Sequence, residues 1–78
     1  MSADSARWIH RRWESGYRYY TAEVIEDLFG EWSLRCSWGA LGGRKGNSRI
    51  RHMADYDTAL TALDKLNKRR VKRGYRGV

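Results

Sequence analysis

Between Trp32 and Trp38 the chain alternates without a break. Trp32, Leu34, Cys36 and Trp38 fall on one side of an extended strand, and Ser33, Arg35 and Ser37 fall on the other. A period of two with one apolar side is the pattern of a half-buried β-strand. It commits the chain to a sheet with one covered face, and another element must supply the cover. The strand runs straight into Gly39-Ala-Leu-Gly-Gly-Arg-Lys-Gly46, whose four glycines lack a Cβ and let a bulky ligand approach main-chain N–H groups. An indole, open amides and paired cations within a few residues suit a sugar–phosphate end. A hairpin with a long turn, its Trp38 plugging the core, fits the same pattern.

The flanking segments supply the rest of the sheet. Arg7 to Trp13 carries Trp8, Ile9 and Trp13 among basic residues and predicts an edge strand, followed by a Ser15-Gly16 turn. From Tyr17 to Ile25 aromatic and β-branched residues dominate, with Tyr20, Ala22 and Val24 on one face. Glu26 to Gly30 predicts a hairpin loop with Gly30 left-handed. Ser48 to Met53 predicts a further strand in which Arg49 and Arg51 alternate with Ile50. Asp55 is a good N-cap, and from Tyr56 to about Arg73 the spacing becomes helical. Ala59, Leu60, Ala62, Leu63 and Leu66 form its apolar stripe, with Val71 extending it, and Gly74 ends the helix. Lys65, Lys68, Arg69 and Lys72 fall on roughly the opposite side. The order predicts an α+β domain over residues 7–78, after a frayed Met1–Ala6. It consists of an antiparallel sheet of four to five strands with one C-terminal helix packed on it.

Charge narrows the partner. Sixteen Lys/Arg against nine Asp/Glu leave a net charge of +7 on 78 residues, a field that favours polyanions. One cysteine rules out an internal disulfide and a Cys-based zinc site of the usual kind, and makes a reducing cytoplasm the expected compartment. No apolar run approaches the roughly 20 residues of a membrane span. Catalysis lacks its residues: Cys36 lies on the inward face, His10 and His52 are isolated, and Glu26 and Asp27 sit in a turn. The glycine loop has neither the Gly-Lys-Ser/Thr ending of a P-loop nor dinucleotide-fold spacing. The expectation is a protein that is not an enzyme, with no cofactor, no metal and no small-molecule substrate.

Several motifs then line up in order: Arg18-Tyr-Tyr-Thr-Ala-Glu-Val24, Glu26-Asp-Leu-Phe-Gly-Glu-Trp-Ser-Leu34, Trp38-Gly39, Ala59 to Leu66, and Arg73-Gly74-Tyr75. Together they resemble a WGR domain, over most of the chain. The resemblance implies a curved antiparallel sheet with one helix, and a role like that in poly(ADP-ribose) polymerases. There the motif Trp and Arg lie against a strand end near a 5′ phosphate. The chain is similar to the stand-alone bacterial form. It departs from the motif at the third position, which is Ala40 rather than Arg. Loss of one charge-assisted phosphate contact costs about 1.5–3 kcal/mol if uncompensated. Arg44 or Lys45, in the same loop, is the expected replacement.

The expected nucleic-acid-binding residues are therefore Trp38, Gly39, Arg44, Lys45, Arg49, Arg51, Lys65, Lys68, Arg69 and Lys72. Diffuse attraction from the helix and strand cations would give sequence-independent affinity that falls with salt. Trp38 and the glycine-loop amides would add preference for a strand end. Interleaving of Arg7, Arg11, Arg12 and Arg18 with Trp8, Trp13, Tyr17 and Tyr19 also fits stacking on bases, or a charge-protected sheet edge. Tyr75 either stacks on a base or packs back as a cap. The expected partner is DNA, with RNA a weaker choice; the rival function is a protein-interaction module that docks an acidic partner.

Overall fold

The computed structural model describes residues 8–78. Met1–Ala6, read as a frayed end, and Arg7, read as the start of the first strand, lie outside the described residues. Strands β1 (Ile9–Ser15), β2 (Arg18–Glu26), β3 (Trp32–Ala40) and β4 (Gly46–Met53) are followed by helix α1 (Tyr56–Lys72) and the short strand β5 (Arg76–Gly77). They form one curved antiparallel sheet in the order β4-β3-β2-β1-β5, with α1 on one face.

Register follows from the period-two patterns. Tyr20 lies opposite Trp38, Ala22 opposite Cys36 and Val24 opposite Leu34, so the apolar sides of β2 and β3 merge into one patch. Trp13, Ala22, Val24, Trp32, Leu34 and Cys36 are buried there under Ala59, Leu63 and Leu66 of the helix. Trp13 is only 2% exposed, and its indole Nε1–H donates to Asn67 Oδ1 at 2.9 Å. Asp27 organises the β2–β3 turn: its Oδ1 accepts from the Phe29 and Glu31 amides at 2.8 and 2.9 Å, and Gly30 closes the turn at φ +80°. Of the two acids expected in the turn, Asp27 shapes the hairpin and Glu26 is the last residue of β2.

Three boundaries differ from the sequence expectation. β1 starts at Ile9 and runs on to Ser15, and β5 covers it only at Trp13 and Glu14, so most of its outer side is still a sheet edge. β4 starts at Gly46, two residues before Ser48, because Gly46 pairs with Gly39 and shortens the glycine loop to residues 41–45. On the helix, Val71 does not extend the apolar stripe: it is 56% exposed, and Arg70 is buried in its place. The buried positions 59, 63, 66 and 70 keep steps of three and four, whereas Val71 falls one residue off that line.

Both helix ends are secured as the sequence predicts. Asp55 Oδ1 accepts from the Thr58 amide at 2.7 Å, and Thr58, through its side chain first and this amide second, holds the Asp55 carboxyl below the ordinary carboxylate value. The rings of Trp32 and Tyr56, 4.8 Å apart, fix the first turn to the sheet. Gly74, at φ +92°, ends the helix, and the Tyr75 amide turns back to the Arg70 carbonyl at 2.9 Å.

On the uncovered face Glu23 accepts from Arg35 Nη2 at 2.5 Å and from Trp8 Nε1 at 2.6 Å. Burial opposes its ionisation, but these bonds, Arg35's first, outweigh burial and hold the carboxyl below its ordinary 4.5. A depressed folded-state value adds stability that is complete above the unfolded value and disappears as pH falls through the folded one. Chemical denaturation across acidic pH should therefore show stability declining below about 4.5, and Glu23→Gln should reduce that decline.

Candidate nucleic-acid interface

The inner face carries an aromatic column at the end of the sheet where β3 leaves for its loop. Trp38 and Tyr20 are cross-strand neighbours and stack with centroids 5.8 Å apart and planes 12° from parallel. The Arg70 guanidinium sits 4.4 Å over the Tyr20 ring, and the Tyr75 ring lies 5.2 Å from it on the C-terminal side. Burial first, and then the Cys36 thiol, push the Tyr20 phenol above its ordinary 10.0, so it stays neutral beside the cation.

Arg70 is 9% exposed, and its buried Nε has no hydrogen-bond partner among the described residues. A guanidinium withdrawn from water without a carboxylate is costly, and the two ring faces offset only part of that cost. It borders a cleft of about 600 Å³ lined by Arg18, Arg49, Arg69, Arg70 and Arg73 together with Trp38 and Tyr75. Among the described residues no carboxylate lines this cleft. A second opening of about 520 Å³, between β4 and α1, is lined by Arg49, Arg51, Lys65 and Arg69, with Asp55 and Asp57 at its far end. The two share Tyr20, Arg49 and Arg69 and so join. Arginines without acids on one concave surface can hold phosphate oxygens bidentately, and the indole at the rim offers a flat apolar surface.

Comparison with known families supports the motif reading. A model of the WGR domain matches residues 5–78. The chain belongs to the WGR family. That family is associated with nucleic-acid binding. No curated protein and no solved structure matches the chain significantly.

In this WGR domain, five of the residues expected to bind nucleic acid come together: Trp38, Arg49, Arg51, Lys65 and Arg69 line the joined clefts. The others lie apart. Arg44 and Lys45 are exposed in the β3–β4 loop and line neither cleft. Lys68 pairs with Asp64 at 3.2 Å, one helical turn away, and Lys72 is exposed outside both clefts. Gly39 lies within the ladder between Tyr19 and Gly46. A Cβ on Gly39 would come 3.1 Å from the Tyr19 ring, and one on Gly46 would come 2.6 Å from the Tyr19 hydroxyl and 2.8 Å from the Trp38 carbonyl. These glycines therefore seat Tyr19 on the outer face. The loop amides are also engaged in part: Leu41 donates to the Tyr17 carbonyl and Gly43 to that of Ala40.

The N-terminal cluster divides. Trp13 goes to the core, and Arg12 pairs with Glu14 at 2.9 Å over the Tyr19 ring on the outer face. Arg18 turns to the cleft. Its register explains why: Arg18 lies directly opposite Ala40, on the same face as Tyr20 and Trp38. Arg70, Arg73 and Tyr20 also line the cleft, although the set expected from sequence does not include them. The signal for Arg70 was its spacing of four from Leu66.

Proposed function

We propose that this WGR domain is a non-enzymatic binder of DNA, largely independent of sequence, that holds a strand end at the arginine cleft. The observation that carries the reading is Arg70, a buried guanidinium with an unpartnered Nε at the wall of an acid-free, five-arginine cleft. A terminal phosphate there supplies the missing acceptor, while Trp38 lies against the last sugar or base. Arg18 takes the part of the arginine that the motif lacks at Ala40: opposite residues on one sheet face have Cβ atoms about 4.5–5.5 Å apart, so a long side chain reaches its neighbour's space. The flanking cations add affinity that falls with salt.

The test is a titration of labelled DNA at two salt concentrations, using a 5′-phosphorylated open end, a hairpin-capped duplex, closed circular DNA and the corresponding RNA. The open end should bind best. Trp38→Ala should reduce that preference more than Lys68→Ala, because Lys68 already pairs with Asp64 outside the clefts. Equal binding to open and closed DNA would leave charge alone as the cause, and no binding at moderate salt would overturn the reading.

Docking on a protein is a second reading, supported by a separate feature. Leu28 and Phe29, 92% and 88% exposed, project from the β2–β3 turn that Asp27 organises. A pre-shaped apolar tip of this kind suits a partner's hydrophobic pocket, since little order is lost on binding. Retention of a partner protein alongside failure to bind any nucleic acid would favour it.

A further inference from the structure

The joined clefts have a direction and a length that a strand end alone does not use. Helix α1 offers Lys65, Arg69 and Arg73 on one wall, four residues or about 6 Å apart along its axis. The facing wall offers Arg51, Arg49 and then Arg18, the first two separated by two strand residues or about 6.6 Å. Arg51 and Lys65 line the opening between β4 and α1, Arg18 and Arg73 line the Trp38 cleft, and Arg49 and Arg69 line both, so the six cations fall in three successive levels, or rungs. None of these six cations forms an ion pair with a carboxylate among the described residues. The rung spacing is close to the phosphate repeat of a stretched single strand. Beyond the Arg51 rung the groove meets Asp55 and Asp57, whose charge turns a phosphate backbone away.

We infer that the groove between β4 and α1 is a track for about two nucleotides of single strand, running from the Trp38 cleft to the helix N-terminus. This inference rests on the strand-end reading above. The DNA it fits is a junction whose recessed 5′ phosphate occupies the arginine cleft while the complementary strand continues as a 3′ overhang along the rungs. An acidic peptide has comparable charge but lacks sugars and bases to lie against the Tyr20–Trp38 floor.

The experiment extends a 5′-phosphorylated blunt duplex by a 3′ overhang one nucleotide at a time and measures affinity at several salt concentrations. Affinity should climb and then level off after about two nucleotides, for a total gain of about tenfold. The slope of log K against log salt should steepen by about 1.4 over the same range, at about 0.7 per single-strand phosphate. The double variant Arg51→Gln/Lys65→Gln, altered only at exposed positions, should bind the blunt end somewhat more weakly, as the loss of two flanking cations requires, and should show little further gain as the overhang lengthens. The overhang series on the unaltered protein decides the matter if that variant does not fold. A blunt end that binds as well as every overhang overturns the track and leaves strand-end recognition standing. Failure of the blunt end itself overturns both. A gain that persists undiminished in the double variant, or displacement of the overhang by a poly-glutamate peptide of equal charge, also overturns it.

Discussion

Replacing Arg70 by methionine is expected to weaken the hold on a 5′-phosphorylated DNA end by about tenfold or more, while the domain stays folded with an undiminished melting temperature. The two halves have separate causes. In the free domain Arg70 is almost wholly buried, and its Nε finds no partner among the described residues, so its charge is a liability in the absence of an anion. The Tyr20 and Tyr75 rings return about 0.5–2 kcal/mol through cation–π attraction. An orphaned buried donor costs about 1–3 kcal/mol, so the balance is near zero or unfavourable. Methionine fills similar space and keeps a polarisable atom against the rings. Binding has no such compensation: a charge-assisted bond to phosphate is worth about 1.5–3 kcal/mol and disappears with the guanidinium. Thermal unfolding and end-binding titrations on the same preparation check both halves. A melting temperature lowered by many degrees would show that the cation holds the helix to the sheet, and unchanged binding would remove Arg70 from the interface.

Trp13→Ala should go the other way and abolish the fold itself. The indole is the largest side chain among the fully buried ones, at the point where β1, the helix and β5 meet. Large-to-small changes at such sites cost about 3–5 kcal/mol. Losing the indole N–H bond to Asn67 removes about 1 kcal/mol more. Small domains lie near the lower end of the usual 5–15 kcal/mol of stability, which leaves this variant little or none. Circular dichroism at room temperature should show lost near-ultraviolet signal and no cooperative melt. Trp13→Phe, which keeps most of the volume, should melt cooperatively at a lower temperature. If Trp13→Ala melted cooperatively near the parent's temperature, the core would have to be centred elsewhere.

Much of the architecture was legible because it depends on near neighbours in the chain. The alternation from Trp32 to Trp38, the Asp55 cap, the Gly30 turn and the Gly74 stop each act within a few residues, and each appears where expected. Family motifs in order supplied the sheet's curvature and the general nature of the partner. The clefts were less legible because they depend on register. Arg18 comes beside Ala40 only once β2 has aligned with β3, so cations sought along the sequence are found in the loop, at Arg44 and Lys45, and not across the sheet. Arg70 was passed over for a different reason: hydrophobicity assigned the end of the helical stripe to Val71, although the spacing of buried positions pointed one residue earlier. The glycines were all read as room for a ligand; Gly42 has open space around it, whereas Gly39 and Gly46 face Tyr19, a partner from another strand that sequence distance conceals.

Helix α1 leaves the sheet from its β4 edge and delivers β5 to the opposite edge, beside β1. It is thus anchored like a strap across a drum, with β4 at one rim and the Trp13–Gly77 pairing at the other. Lys65, Arg69, Arg70 and Arg73 ride on this strap, and their spacing to the strand cations is set before any ligand arrives. Arrival then orders side chains and little backbone. Encounter should accordingly be governed by diffusion and charge, and the lifetime of the complex should carry most of the discrimination between one DNA end and another.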